Sequence, residues 1–305
     1  MQKIVQCVPN FSEGRRPWVI DEIVDAVRSV DGLRVLEVER DADHNRTVVA
    51  FAGEPDAAAE GAFRAVRRAV DLINMEQHRG AHPRVGAADV VPFVPVVGVT
   101  MAQCVQLARS LGKRLADELN LPVYLYGEAA TRPERRDLPS LRRGEYEGLK
   151  EEIERNPDRA PDFGPAHLGP AGATIVGARP PLIAYNINLR TGDVAIAKAI
   201  ARKVREANGG LPGVRAIGLA LGEPGMVQVS LNLTDYHRTG LATAFAAVSE
   251  EAAKYGVAVD SSRIVGLVPA EALVEVVAQC LRSPSFAAMQ IVERAVLGGA
   301  EEGEK

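Results

Sequence analysis

Apolar residues recur along the chain with the spacings of strands and amphipathic helices, and they form two similar runs. The first run predicts, in order, a strand, a helix, two strands, a helix and a strand, at residues 3–8, 17–30, 33–38, 47–51, 54–73 and 90–99. The second predicts the same succession at 182–189, 193–207, 214–221, 226–233, 241–255 and 263–268. This βαββαβ order is that of the ferredoxin-like motif. The predicted fold is therefore α+β, with two tandem ferredoxin-like (βαββαβ) subdomains.

Additional elements and a change in composition separate the two runs. A helix at 100–119 with Thr100 as N-cap, strands at 123–126 and 173–176, and a closing helix at 270–281 complete the prediction. Residues 129–166 are polar, and we expect the charged stretch 132–137 to be a solvated face. The composition shifts at 177–181, which predicts domains at 1–179 and 180–297 and a charged tail at 298–305.

A histidine-bearing loop precedes the last strand of the first run. Gly80, Pro83 and Gly86 surround His82 and exclude a helix there. The apolar run 90–99 contains two prolines, which favours an edge strand or an extended segment. Loops beside rigid strands often carry catalytic groups, and histidine exchanges protons near neutral pH. His82 is therefore a candidate for proton transfer; a histidine that only hydrogen-bonds the backbone is the alternative.

Two predicted strands of the second run carry uncharged polar side chains at alternate positions. Asn186 and Asn188 share one strand, and Gln228, Ser230 and Asn232 share another. Alternate residues of a strand point to the same face. Such a row suits either a cleft for a polar ligand or the solvent-facing side of an antiparallel sheet.

The composition excludes several classes of protein. The 305 residues carry a net charge of −4, so no basic surface for nucleic acid is expected. Cys7, Cys104 and Cys280 are far apart and form neither a zinc nor a disulfide pattern, so we predict no metal. No signal-peptide pattern and no membrane span are present, which predicts a cytoplasmic protein that does not bind membranes. No phosphate-binding glycine motif follows a strand, which makes a nucleotide-binding enzyme a poor alternative.

Seven stretches together resemble the formiminotransferase domain of formiminotransferase-cyclodeaminase. They follow one another in order at residues 8–14, 45–48, 80–86, 123–130, 160–165, 184–189 and 263–269. The resemblance extends from Val5 to about Leu281 and is specific as a set. It implies a stand-alone form of this enzyme, without the cyclodeaminase domain.

The resemblance implies transfer of the formimidoyl group from N-formimidoyl-L-glutamate to tetrahydrofolate, in histidine degradation. Tetrahydrofolate is the co-substrate, bound in a groove between the two subdomains. His82 falls on the catalytic histidine and acts as base, then acid. Glu39 falls on an acidic position near it. The folate-binding segment falls on Phe163, Gly164, Pro165, Ala166, His167, Leu168, Gly169, Pro170, Ala171 and Gly172, although residues 166–171 depart from the family pattern.

The implied chemistry selects further candidates. A cationic amidine favours a nearby carboxylate, and Glu39 comes before Asp41 and Asp43 because it ends a strand. Both substrates carry carboxylates, which arginines bind well, although each arginine could equally be a surface charge. The candidates for substrate and carboxylate binding are Asn10, Arg46, Arg84, Asn186, Asn188, Arg190 and Gln228.

Two alternatives to this function stay open. The donor could be N-formylglutamate, whose neutral group needs oxyanion donors more than a carboxylate. Tandem ferredoxin-like units can also be amino-acid-sensing modules, in which His82 would be dispensable. On exposed sheet edges and family habit we also expect a homodimer.

Overall fold

Two β-sheets with helices packed on them make up the described part of the chain. The computed structural model describes residues 3–221 and 225–293. The chain divides between Arg179 and Pro180 into two units, each with its own apolar core. The α+β class predicted from the sequence is thus confirmed. Residues 222–224 of a predicted turn, and the predicted charged tail 298–305, lie outside the described residues.

The first unit is a seven-stranded sheet with helices. Within the described residues its strands are β1 (Ile4–Cys7), β2 (Asn10–Phe11), β3 (Arg34–Asp41), β4 (Arg46–Gly53), β5 (Ala88–Val97), β6 (Val123–Gly127) and β7 (Thr174–Ala178). Its helices are α1 (Pro17–Arg28), α2 (Pro55–Leu72), α3 (Met101–Leu119), α4 (Leu138–Leu141) and α5 (Glu145–Glu152).

Strand pairing in this sheet follows the predicted βαββαβ succession and then extends it. The antiparallel part runs in the order β3, β4, β1 and β5. The short strand β2 continues β1 and also lies between β4 and β5. On the other side of β5, β7 and then β6 are added in parallel.

The sequence was misleading about β5, which we expected at an edge or outside the sheet. It lies inside the sheet, between β1 and β7. Its prolines are tolerated because they fall at irregularities in the pairing with β1. The carbonyl of Pro92 accepts from Val8 in the interruption between β1 and β2, and Pro95 lies at a register shift.

Two polar stretches of the first unit contain residues that are paired in the sheet or buried. Within the stretch 9–14, Asn10 and Phe11 form β2, because β4 and β5 supply pairing partners on both sides. The stretch 132–137 was expected to be a solvated face. Pro133, Glu134 and Arg136 are exposed as expected, but Arg135 is 3% exposed and forms a 2.7 Å ion pair with the buried carboxylate of Asp162. Its partner lies 27 residues away, so local composition could not reveal it.

The predicted helices α1, α2 and α3 follow the sequence pattern closely, whereas α4 and α5, inside the polar stretch 129–166, were not predicted. The apolar stripe of α1 is buried, from Val19 to Val27. Pro17 lies in the first turn of α1, where the missing amide hydrogen costs nothing. Thr100 is the N-cap of α3 as predicted, and it forms a capping box with Gln103.

In its described residues, 180–221 and 225–293, the second unit is a four-stranded antiparallel sheet with helices on one face. Its strands are β8 (Ile183–Leu189), β9 (Val214–Ala220), β10 (Val227–Leu233) and β11 (Val259–Val265), in the order β11, β8, β10 and β9. Its helices are α6 (Val194–Val204), α7 (Leu241–Lys254) and α8 (Val274–Cys280).

Two predicted elements of the second unit need correction. The last strand was placed at 263–268, but β11 begins at Val259. Its polar stretch 260–263 resembles a loop, yet it can form an edge strand because, among the described strands, β11 pairs only with β8. The closing helix predicted at 270–281 is divided into a 3-10 turn, Ala270–Leu273, and α8.

The buried Arg135–Asp162 pair makes a direct prediction for stability. Arg135→Met leaves the Asp162 carboxylate buried without its cation, and should lower the free energy of unfolding by about 3–5 kcal/mol. Arg136→Met, which removes the exposed partner of Glu128, should cost no more than about 1 kcal/mol. Denaturant unfolding of both variants measures the difference. Similar losses in the two would show that burial does not set the energy of this pair.

Candidate active site

His82 lies in the loop between α2 and β5, and polar contacts hold this loop against the sheet. The amide of Val85 donates to Asp89 at 2.8 Å, and the hydroxyl of Ser12 donates to the carbonyl of Gly86 at 2.7 Å. A Cβ at Gly86 would lie 2.0 Å from the carbonyl oxygen of Ala173. This position therefore needs glycine for the close approach of two backbone segments.

Arg84 is a buried component of the loop. It is 5% exposed, and its guanidinium pairs with Glu145 and Glu147, each at 2.7 Å. Its Nε donates to Nδ1 of His78 at 3.2 Å, and Nε2 of His78 lies 3.0 Å from the carbonyl of Asn45. Burial lowers the pKa of His78. Arg84 is therefore not the surface charge considered as the alternative, and its guanidinium already has carboxylate partners.

A small pocket opens beside the loop and contains several of the predicted site residues. Arg46 donates through Nε to the Asn10 side-chain oxygen at 2.9 Å, and Asn10 donates to the Val8 carbonyl at 2.9 Å. The structure thus brings Asn10, Arg46 and His82 together. The pocket is lined by Asn10, Phe11, Ser12, His44, Asn45, Arg46, His78, His82, Arg84 and Asp89.

The surroundings of His82 keep its imidazole neutral. Burial and then the positive charges of Arg46 and Arg142 lower its pKa from the usual 6.5 to about 3. The ring is therefore a proton acceptor in the unliganded protein, but its protonated form is strongly disfavoured.

Arg142 is a site residue that the sequence did not suggest. It directly follows α4, and its Nη2 donates to the carboxylate of Asp89. Both side chains are largely buried, at 13% and 4% exposure. The only signal in the sequence was Asp89, an acidic residue at the start of an apolar strand.

His44 is the second residue that the sequence did not suggest. Its ring lies edge-on to that of His82, with centroids 6.2 Å apart. Nδ1 of His44 lies 2.6 Å from the carboxylate of Asp41, a residue considered only as a partner for the substrate.

Glu39 lies at the exposed end of β3, opposite Val48 of β4, which in turn pairs with Asn10. It shares a sheet face with Asn10, because residues paired in register point to the same side. Its negative charge acts on Arg46. Among the residues that the structure describes, Glu39 is not part of the pocket lining, so its catalytic role stays a prediction.

The predicted folate-binding segment, residues 163–172, reaches the His82 loop at its C-terminal end. The amide of Ala87 donates to the Ala171 carbonyl at 2.8 Å, and Gly172 bridges to Gly86. Leu168 is buried in the core. His167 is exposed and lies 2.5 Å from a carboxylate oxygen of Glu154, outside the pocket lining.

The remaining candidates lie in the second unit. Asn186, Asn188 and Gln228 share the sheet face opposite the buried apolar residues, and Gln228 donates to Asn188 at 2.9 Å. This confirms the predicted row of polar groups, whereas its use as a cleft stays a prediction. Arg190 is exposed and forms a 2.8 Å ion pair with Asp260.

Within 3–221 and 225–293, no group of three or more His, Cys, Asp or Glu side chains is placed to hold a metal ion. No helix in these ranges combines the length and apolar character that crossing a bilayer requires.

Comparison with known proteins identifies the family. Residues 4–179 match the model of the formiminotransferase domain, N-terminal subdomain, and residues 184–293 match the model of the formiminotransferase domain. The chain therefore belongs to the formiminotransferase family, which confirms the resemblance seen in its motifs.

Named relatives span nearly the whole chain. It is 48% identical to a glutamate formimidoyltransferase of Thermoplasma acidophilum, over 95% of this chain and 96% of that protein. It is 41% identical to a glutamate formimidoyltransferase of Streptococcus pyogenes serotype M1, over 98% of this chain and 100% of that protein. It is also 48% identical to the formimidoyltransferase-cyclodeaminase of Sus scrofa, over 91% of this chain but 52% of that protein.

The Arg84 cluster predicts how stability depends on pH. Hydrogen bonds from Arg84 lower the pKa of Glu147 from 4.5 to about 2. A depressed carboxyl pKa stabilises the folded state above the unfolded value, and this contribution is lost as the pH falls through the folded value. Glu147→Gln should therefore lose less stability than the wild type between pH of about 4.5 and about 2.

Denaturant midpoints measured across that range test the prediction. Asp117→Asn is the matched control, because Asp117 pairs with Lys113 on the open surface. Parallel pH curves for wild type and Glu147→Gln would contradict the proposed linkage.

Proposed function

We propose that the chain transfers the formimidoyl group from N-formimidoyl-L-glutamate to N5 of tetrahydrofolate, which gives 5-formimidoyltetrahydrofolate and L-glutamate, a step of histidine degradation. Its substrate class follows the names of relatives that match over almost the full length. The observation that carries the chemistry is a neutral histidine, His82, in a pocket beside a cationic arginine.

His82 acts in this proposal as base and then as acid. N5 of the folate attacks the formimidoyl carbon and gives up a proton, and the glutamate nitrogen takes one up as its bond to carbon breaks. A neutral imidazole can accept the first proton and its protonated form can deliver the second, if both nitrogens come within about 3 Å. No net proton is gained or lost.

The charges around His82 fit anionic substrates. Arg46 and Arg142 disfavour its protonated form, and both proposed substrates carry carboxylates. A substrate carboxylate near these guanidinium groups would offset their charge and raise the pKa of His82 towards the working range of a general base. Burial would still hold it below its ordinary value.

The other candidates take separate parts in the proposal. Asn10 and Arg46 would bind a substrate carboxylate in the pocket, and Glu39 would stabilise the cationic amidine. Residues 163–172 would bind the folate, since their C-terminal end lies against the His82 loop. In the second unit, the candidates for substrate binding are Asn186, Asn188, Arg190 and Gln228. Arg84 would bind a carboxylate only by releasing Glu145 and Glu147.

Replacing His82 tests the proposal directly. His82→Ala should fold normally, retain folate affinity and lose about 10²- to 10⁴-fold in turnover. The assay supplies tetrahydrofolate with N-formimidoylglutamate or N-formylglutamate and measures released glutamate. His237→Ala, in the second unit outside the proposed site, is the matched control and should retain activity.

Each outcome of this assay has a distinct meaning. Release from the formimidoyl donor that is lost only in His82→Ala supports the proposal. Release only from N-formylglutamate would retain the site but replace the donor. Folate binding without release from either donor would instead support a sensing module. Unfolding of His82→Ala would show that this histidine is structural.

We further propose a cytoplasmic homodimer. The edge strand β3 pairs only with β4 among the described strands, and Leu36 and Val38 are exposed on it. An unpaired edge with apolar side chains favours association with another chain. Light scattering at micromolar concentration should give the mass of two chains, and the mass of one chain would refute the dimer.

A further inference from the structure

Asp41 and His44 form a hydrogen-bonded pair at the mouth of the pocket, and neither acts in the mechanism above. The carboxylate of Asp41 accepts from the backbone amide of His44 at 2.8 Å and lies 2.6 Å from its Nδ1. Two contacts on one carboxylate fix the orientation of the imidazole ring. The ring in turn lies edge-on to His82, at 6.2 Å between centroids.

We propose that His44, oriented by Asp41, holds the proton that His82 removes from the folate and returns it when the glutamate nitrogen leaves. This inference rests on the proposed function. In this inference His44 exchanges the proton with His82 and does not act on the substrate directly. His44 is therefore a positioning residue. A single bridging water or a small rotation of either ring would span the gap between the two imidazoles.

The Asp41 carboxylate is placed to orient the His44 ring. Although partial burial opposes it, hydrogen bonds from His44 lower the pKa of Asp41, so its carboxylate is charged. An aspartate on Nδ1 selects the tautomer with that hydrogen on Nδ1 and stabilises the imidazolium when Nε2 takes up a proton. Nε2 is the ring nitrogen that does not face the Asp41 carboxylate.

His82 itself is poorly suited to hold the proton. Its protonated form is disfavoured by burial and by two arginines, with a pKa of about 3. Between attack by N5 and departure of the glutamate nitrogen, however, the proton must remain near the reacting atoms. His44 is more exposed, at 51% of its side chain, and its Nδ1 faces the carboxylate of Asp41 rather than an arginine.

The charges near His44 are of both signs. Asp41 and Asp43 lie on its own turn, and the neutral His82 lies across from it. Arg46, at the start of β4, lines the same pocket, and Arg15 donates to the carbonyl of Ala42 at 2.9 Å. The direct contact of His44 is with the Asp41 carboxylate.

The proton is conserved through the sequence of steps. It leaves N5 as the N5–carbon bond forms, passes to His82 and then to Nε2 of His44. It returns by the same route to the glutamate nitrogen as the old carbon–nitrogen bond breaks. No further reactant is needed, and both histidines end neutral.

Small-molecule rescue tests the inference in the full chain. His44→Ala should lower kcat by about 10- to 100-fold, less than the 10²- to 10⁴-fold expected for the acid–base group itself, with KM little changed. Added imidazole should restore much of this loss in a concentration-dependent manner, because it can occupy the space of the deleted ring. His44→Gln, which keeps a polar side chain but no titrating ring, should show the same loss.

Control variants separate this role from a structural one. Asp41→Asn should lower kcat to a smaller extent than His44→Ala, and His237→Ala should change neither kcat nor its response to imidazole. An unchanged kcat in His44→Ala, a change in KM alone, or full activity in His44→Gln would each overturn the inference. Wild-type protein without transferase activity would overturn the proposed function as well. If the wild type is active, a negative result overturns only the inference about His44.

Discussion

Buried charge fixes the position of the His82 loop. Between α2 and β5 the chain has little regular structure, and its place depends on contacts from Arg84 and Asp89 to residues that follow later in the chain. Arg84 contacts Glu145 and Glu147, and Asp89 contacts Arg142. The Asp89–Arg142 pair is buried on both sides, and removing one member would leave the other uncompensated at a cost of about 3–5 kcal/mol. The position of the loop therefore depends on residues 129–172 being folded, because this segment supplies its charged partners.

The same charges set the chemistry of the pocket. Arg142 neutralises Asp89, but it also adds positive charge near His82, which already lies close to Arg46. Near these positive charges His82 is neutral, so it can accept a proton, but its protonated form is unstable. The positive charge of Arg142 stabilises the loop, and it also lowers the basicity of His82 until an anionic substrate binds.

Local patterns in the sequence predicted the elements whose signals are local. The buried stripe of α1 and the capping box of Thr100 needed only neighbouring residues to recognise. The errors occurred where distant residues decide the outcome. Pro92 and Pro95 are tolerated inside the sheet because of an interruption in β1, and Arg135 is buried because Asp162 receives it.

The site shows the same limit. Family motifs placed His82 and residues 163–172, and Asn10 and Arg46 came together in the pocket as candidates. Arg142 could not be found in this way, since it comes from a charged segment that resembles exposed surface. His44 was missed because Asp41 was considered as a partner of the substrate rather than of a neighbouring side chain.

In the proposed mechanism the buried His82 and the more exposed His44 carry out different parts of the proton transfer. A group that contacts the reacting atoms must exclude water, and desolvation then lowers the pKa of an imidazole. A group that holds a proton needs a stable cation, which a carboxylate and partial access to solvent provide. One side chain cannot meet both demands in the unliganded protein. In the arrangement of Asp41, His44 and His82, each demand is met by a separate imidazole ring. This arrangement arises because the turn after β3 places His44 beside the His82 loop.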